Sequence, residues 1–453
     1  MLSWFDPVNA FTNPRKKRGL LHEQSLGFVV KSGHGLGAEA NHYYSKAFLK
    51  QGETLNETDI LIIGGGIAGV STAYHLSQYG RDVTLLERGE VACGASRLNA
   101  GNIGAIGWGN DPTLNSHLTM GSLEIFKRIQ LDLGYDIEYR QCGGLQALQT
   151  EEQYQYARDR VLGLKSQGYS LELLTTREAQ SIEPGVNPVL PGFVYTPLRS
   201  QADPAKATQA LASAAASNGA HTKTGHQVTA LLYENDGVYR AETNMGEFRA
   251  SRLVIAAGAW CEPLGRMLGL RVPIVPVRGQ MWATESLPPR VFHTISSAES
   301  EYLWHLDPGN DSESPPELTH NGEGRVVRHL YGRQTRQGEI IFGGDRQMVG
   351  YNSTPDSLGI ETNRGHATEV LPLLRNLPIK RTWAGLMPFS RDGNPIIGEM
   401  PQFDNLYIVS GLCSSGFGRG PMAGKLLADY INTDARPSVL VEADPARCIK
   451  PID

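Results

Sequence analysis

Apolar positions along this chain fall into short, nearly unbroken runs more often than into alternating ones. DILII (59–63), VTLLE (83–87) and RLVIAAGAW (252–260) are such runs. Their length and glycine or charged flanks predict strands buried on both faces. Between the first two, residues 67–79 carry Ala68, Ala73, Leu76 and Tyr79 at spacings that give a helix one inward face. Strand, helix and strand within about thirty residues predict a βαβ unit and a parallel sheet.

Helical periodicity returns at 113–133, with Leu118, Leu123, Ile125, Phe126 and Ile129 as apolar positions, and in a charged, glutamine-rich stretch at 150–170 that reads as an exposed helix. ADPAKATQALASAAASNGA (202–220) has a clear frame: Asp203 as N-cap, Pro204 in the first turn, Asn218-Gly219 as the stop. HQVTALLYE and GVYRAETN read as short strands, RGQMWATE (278–285) begins a new strand set, and EIIFGGD (339–345) returns to a sheet. Residues 307–324, rich in Gly, Pro and Ser, read as a long surface loop. Residues 1–57 show little periodicity and read as an arm that wraps the body or is partly disordered. No internal repeat is present.

At 453 residues the chain exceeds one compact core, so two interleaved domains are expected. Glycine is abundant, 51 residues against a typical ~7 %. Net charge is −5, which argues against nucleic acid as a partner. No apolar run approaches the ~18 residues of a membrane span. The five cysteines are scattered without a C-x-x-C pair, which suggests neither a disulfide framework nor a zinc site and points to a reducing, cytoplasmic setting. The RKKR cluster at 15–18 would suit an organelle-targeting segment; a solvated charge patch is the simpler reading. No metal ligands are expected.

Gly64-Gly65-Gly66-Ile67-Ala68-Gly69 fits G-x-G-x-x-G between the first strand and its helix. Gly64 permits the tight turn, Gly66 lets backbone meet a pyrophosphate, and Gly69 lets helix pack on strand. The helix N-terminus then faces the anion. Glu87 ends the second strand, where a carboxylate accepts hydrogen bonds from ribose hydroxyls and would repel a 2′-phosphate, so NADP is not expected. Which other dinucleotide binds is left open by this motif alone.

The next stretch, VACGASRLNAGNIGAIG (91–107), packs small residues that let backbone press against a flat ring. Here the chain resembles the glycine oxidase, sarcosine oxidase and D-amino-acid dehydrogenase family of FAD enzymes, over residues 58 to about 448. The segment A-S-x-x-N-A-G carries the likeness at Ser96, Asn99, Ala100 and Gly101; in the family it lies along the flavin. QVTAL places Val228 at the adenine clasp, and VIAAGAW places Ala257, Gly258 and Trp260 near the pyrophosphate. RTWAGLMPFSRDGNPIIG (381–398), GLCSSGFGRGPMAGKLLADYI (411–431) and ADPAR (443–447) match the closing motifs. NHYYSKAF, followed by ETD, also resembles the entry of γ-glutamylputrescine oxidase-like members.

The fold that the resemblance implies is α/β: a Rossmann-type FAD-binding domain (58–138, 198–272 and 381–440) interleaved with an antiparallel-sheet substrate domain (139–197 and 273–380), and a tail at 441–453. It implies resident, non-covalent FAD held by Gly64, Gly66, Ile67, Ala68, Gly69, Glu87, Arg88, the residues of the ring segment, Val228, Ala257, Gly258 and Trp260. Gly416, Phe417 and Gly418, read as a glycine loop feeding the helix AGKLLADYI, would face the N1–C2=O edge of the flavin and stabilise charge there. Histidine-linked members carry their histidine at the position of Leu98, and cysteine-linked members use a cysteine near Trp383–Leu386, where none occurs.

The implied reaction is oxidation of a C–N bond in an amino acid or N-substituted amine: hydride passes to flavin N5 and the imine is hydrolysed, with no dedicated side-chain base. Relatives grip the substrate carboxylate with an arginine where this chain has Met387. Three outcomes follow: another arginine grips the carboxylate, with Arg333 or Arg336 the nearest, from a group that also contains Arg325 and Arg328; the substrate carries its carboxylate farther from the amine; or it is an alkyl amine with an apolar group against Met387. The first two are favoured jointly, and Arg419 is a further candidate. Tyr302, Trp304 and His305 are expected pocket walls, with packing as the alternative. Oxygen, a quinone or a carrier protein would accept the electrons. Two rivals remain: oxidation of a 2-hydroxy acid at C–O, and a non-catalytic flavin-bound assembly module. No H-E-x-x-H or G-x-S-x-G motif points elsewhere.

Overall fold

The computed structural model of the chain describes residues 56–104, 106, 113–306 and 328–452. Most of the expected arm, the expected loop at 307–324, and Arg325 lie outside them. In chain order, the elements that build the body begin with β1 (Asn56–Ile63), α1 (Ile67–Gln78), β2 (Val83–Leu86), α2 (Leu114–Leu131), β3 (Gly144–Leu148), α3 (Glu151–Ser166), β4 (Glu172–Thr175) and β5 (Gly192–Thr196). Then come α4 (Pro204–Ser217), β6 (His221–Lys223), β7 (Val228–Tyr233), β8 (Tyr239–Thr243), β9 (Gly246–Ile255), β10 (Ile274–Ser286), β11 (Thr294–Ser297) and α5 (Glu299–Leu306). The rest are β12 (Tyr331–Gln334), β13 (Glu339–Gly343), α6 (Ser357–Val370), β14 (Ile379–Ser390), β15 (Ile396–Glu399), β16 (Leu406–Ser410) and α7 (Gly416–Thr433).

Two eight-stranded sheets organise these elements. The first runs β7-β8-β9-β1-β2-β6, with β16 on β9 and β15 on β16. Its centre is parallel, as continuous burial of Ile60–Ile62, Leu85 and Val254 requires. The second runs β14-β10-β13-β12-β11-β3-β5-β4 and is antiparallel except where β11 meets β3. β14 therefore belongs to this second sheet, although the sequence grouped 381–390 with the dinucleotide-binding segments.

One face of the first sheet is covered by α1, α2, α4 and α7 around a single apolar cluster; α6 covers the second sheet. The apolar positions expected for α2 are all buried. Asp203 caps α4 by accepting from Lys206 N–H at 2.8 Å. Tyr79 departs from expectation: it is the C-cap of α1, is 43 % exposed, and bonds Asp429. Of the glycine loop expected at 414–420, residues 416–420 are instead the first turns of α7. Glycine is a poor helix former, but here it buys proximity. A Cβ on Gly420 would lie 2.6 Å from Ile67 Cγ2, and one on Gly424 would lie 2.5 Å from Ala68 O. α7 thus lies directly against α1.

Candidate active site

A cavity of about 1030 Å³ runs from the end of β1 to the far strands of the second sheet. That is at the upper end of the size of small-molecule sites. Its first wall is the turn after β1. Gly64 has φ +116°, and a Cβ there would sit 2.5 Å from Ala256 O. A side chain would therefore force the β1 turn off the neighbouring strand end. Gly69 does the packing expected of it, with Gly64 O 2.1 Å from where its Cβ would be; it does not line the cavity.

Glu87 lines this end, and its carboxylate ties the turn together. It accepts from Gly65 N–H at 2.7 Å and from Gly89 N–H at 2.8 Å. Ser96 Oγ accepts from Ile67 N–H at 2.9 Å, so one of the free donors of α1 is already capped by a side chain. Gly66, Ile67, Ala68 and Asn99 also face the space, as do Val228, Ala257, Gly258 and Trp260 at the far side of the turn. Arg88 lies over the Trp260 ring, 3.7 Å from its centroid, and Tyr351 packs on the same indole.

Asn99 shapes the small-residue segment. Its amide donates to Ala95 O at 3.0 Å and accepts from Gly101 N–H at 2.8 Å. Leu98, Asn102, Ile103 and Gly104 reach the cavity, whereas Ala100 and Gly101 point away from it, Gly101 against Ala202 O. Opposite stand Gly385 to Pro388 and Gly279, where a Cβ would meet Met387 Cε at 2.9 Å. Gly416, Phe417 and Gly418 open α7 directly into the same space. Two helix N-termini and a glycine-rich shelf on both sides make a cradle for a long, anionic, flat molecule. A dinucleotide with a flat ring system fits such a cradle.

The expected substrate residues divide. Met387 and Arg419 line the cavity; Arg419 bonds Asn115 Oδ1 at 2.9 Å. Arg333 does not. It is 2 % exposed and donates to Ala100 O and, at 3.1 Å, to Ala202 O. It pins the ring segment from behind. Arg336 is at the surface, 2.6 Å from Asp136, and Arg328 pairs with Glu369 and Glu299. Tyr302 and His305, on α5, pack with Tyr156 of α3, outside the cavity, and the Trp304 side chain lies outside the described residues.

Sequence reasoning missed His329, Tyr331, Arg346 and Arg199, all of which line the cavity. Period-two alternation puts 329, 331 and 333 on one sheet face; the ring segment covers Arg333 and packs on Tyr331, which still reaches the cavity. His329 Nδ1 is 2.8 Å from Ser300 Oγ. Burial, then Arg346, His366 and Arg199, hold its pKa well below the usual value, so it is neutral at physiological pH. Burial pushes the Tyr331 phenol up to about 12. Arg346 donates to Ser414 Oγ at 3.1 Å and stands over the Phe389 ring. No signal short of the folded sheet marks Arg199. Among the described residues no group of three or more His, Cys, Asp or Glu could hold a metal, and no helix is long and apolar enough to cross a membrane.

Comparison with known proteins adds to this geometry. Residues 59–430 match the family described as FAD dependent oxidoreductase (DAO). Mitochondrial dimethylglycine dehydrogenase of Mus musculus is 28 % identical over 409 residues, 87 % of this chain and 44 % of the relative; the chain thus spans less than half of that protein's length. Glycine oxidase of Pseudomonas aeruginosa is 29 % identical over 82 % of this chain and 94 % of its own. Among solved structures, L-proline dehydrogenase from P. horikoshii superposes with a TM-score of 0.73 at 26 % identity, covering 87 % of this chain and 98 % of that one. Glycine oxidase from Geobacillus kaustophilus gives 0.74 at 23 % identity, over 86 % and 99 %, a likeness of fold.

Proposed function

The chain belongs to the FAD dependent oxidoreductase family, and from that premise we propose that it oxidises the C–N bond of an amino acid or N-substituted amine. FAD, when bound in the cradle of Gly64, Gly66, Glu87 and the α7 N-terminus, would supply a two-electron acceptor for the hydride on the carbon next to nitrogen. The imine left behind takes up water and splits into a carbonyl compound and an amine. The protein's part is to bind, orient and exclude. Leu98, Gly385 and Met387 give the ring region apolar walls, which keeps bulk water from the reacting carbon. The N–H groups that open α7 offer positive potential where negative charge would develop. Neutral His329 takes no charge to the site and leaves its ring to hydrogen-bond an amine or a water.

The one observation that carries this reading is the continuity of the cavity from the α1 N-terminus to the Met387 wall. Arg346 is our candidate for the grip that the resembled family places at the position of Met387. Register pairs Val277 with Met387 and Gly279 with Gly385 across β10 and β14, and Asp345 O lies 3.5 Å from the Gly279 Cβ position. Arg346, the next residue, lines the same cavity as Met387 and stands over the Phe389 ring, and we assign it the carboxylate nearest the oxidised carbon. Names of relatives that act on glycine, dimethylglycine and proline support an amino-acid-like substrate.

Leu98 and the absence of cysteine from 383–386 support non-covalent FAD. Of the cysteines that line the cavity, Cys93 lies at the Glu87 end and Cys413 is buried against Gly411 O. Anaerobic mixing of the purified holoprotein with amino acids, N-methyl amino acids, polyamine derivatives and 2-hydroxy acids, followed at the flavin absorbance, tests the reading. Bleaching by an amine supports it. Bleaching by hydroxy acids alone, or by nothing in the panel, refutes it.

A further inference from the structure

The cavity extends well past Met387 and Arg346. Ser296 on β11 pairs with Tyr331 on β12, which pairs with Gly343 on β13. Two strand spacings, roughly 10 Å, separate the ends of this row. Arg346 follows the β13 end; Arg199 lies at the β11 end, where its Nη1 donates to Ser296 Oγ at 2.8 Å. Both arginines line the same space, as do His329 and Ser300 between them.

Arg199 is unlike its neighbours. Arg160, close by, is neutralised by Glu301 at 3.0 Å, and Gln146 donates to the other Glu301 oxygen at 3.1 Å. Among the described residues Arg199 forms no ion pair, and Ser296 Oγ is its only side-chain hydrogen-bond acceptor. A guanidinium keeps its charge and carries five donors. Arg199 lines the cavity with donors that no acceptor among the described residues takes up, so they are available to an anion that enters. Burial lowers its pKa, the direction that a ligand carboxylate would reverse.

We propose that Arg199 is the base of a second anion subsite, which takes a carboxylate of the substrate several bonds away from the carbon being oxidised. A planar, singly charged carboxylate suits one guanidinium fork, with Ser296 and Ser300 as hydroxyl donors. Glu301 beside it would repel a doubly charged phosphate. This inference rests on the amine-oxidation reading for the substrate's identity, although the subsite can be measured without turnover.

The test is calorimetric titration of the FAD-loaded protein, at constant ionic strength, with glutarate, adipate and pimelate and with pentanoate, hexanoate and heptanoate. The expected result is that at least one dicarboxylate binds tenfold or more tightly than the monocarboxylate of equal length. Arg199→Met should abolish that ratio and leave the monocarboxylate constants within twofold; Arg199→Lys should keep part of it. Should Arg199→Met lose flavin or fold poorly, Ser296→Ala decides, because it frees the guanidinium from its anchor and should reduce the ratio. A wild-type ratio near one, or a ratio that survives these substitutions, overturns the proposal. A failed amine panel with the ratio intact would defeat the amine-oxidation reading alone.

Discussion

Gly424 is where the packing of α7 on α1 is tightest against rigid atoms. A Cβ there would lie 2.5 Å from Ala68 O and 2.8 Å from both Ser71 Cβ and Thr72 N. None of these is the end of a flexible side chain, so Gly424→Ala must push the helices apart by several tenths of an ångström. Overpacking of this kind costs up to ~3 kcal/mol. Alanine in a helix returns ~1 kcal/mol of propensity, which leaves a net loss of roughly 2 kcal/mol. Gly163 on α3 is the control, since nothing lies within 4 Å of its Cβ position. Gly163→Ala should stabilise by up to ~1 kcal/mol. Thermal and urea unfolding of apoprotein measures both, and FAD titration measures the consequence. Gly424→Ala should also weaken FAD binding, by about tenfold for each ~1.4 kcal/mol expressed at the cavity, because it misaligns the two helix N-termini. A Gly424→Ala protein as stable as wild type, with unchanged FAD affinity, would refute the claim that these glycines set the helix spacing at the cofactor.

Further outcomes follow from the same geometry. Arg333→Met should lower stability and FAD affinity through the freed Ala100 and Ala202 carbonyls, with no selective rise in KM for anionic substrates; Arg336→Ala should leave KM unchanged. Burial, then Lys425, lowers the pKa of His75 to about 4. The unfolded chain takes up this proton below about pH 6.5 and the folded one does not, so the stabilisation present above pH 6.5 is lost as pH falls toward 4. At ~1.4 kcal/mol per pH unit, urea unfolding at pH 7 and pH 5 should differ by roughly 2 kcal/mol through this residue, and His75→Gln should remove that share. Acid precipitation of holoprotein should give a colourless pellet and a yellow supernatant; a yellow pellet would overturn non-covalent binding.

What the sequence disclosed was local. Gly64, Gly66 and Gly69 were readable because each does its work within one turn and its flanking strand, and Asp203-Pro204 because a cap is a property of a few adjacent residues. The start of α7 was misread for the opposite reason. Its glycines look like a loop, and only contact with Ile67 and Ala68, some 350 positions earlier, explains a helix there. Arg333 was misplaced because the backbone of 99–101, which covers it, comes from another part of the chain. Arg199, His329 and Arg346 converge from three separate segments through strand pairing, and no spacing rule joins a turn before α4 to the end of β13.

The account turns on a bound flavin that accepts electrons from a carbon attached to nitrogen. Anaerobic single-turnover mixing with an amine substrate and its α-deuterated form tests this most directly. The flavin should bleach completely with one equivalent, yield one equivalent of carbonyl product, and bleach several-fold more slowly with the deuterated form. A flavin that stays oxidised, or whose bleaching is indifferent to α-deuteration and yields no carbonyl product, would contradict the account.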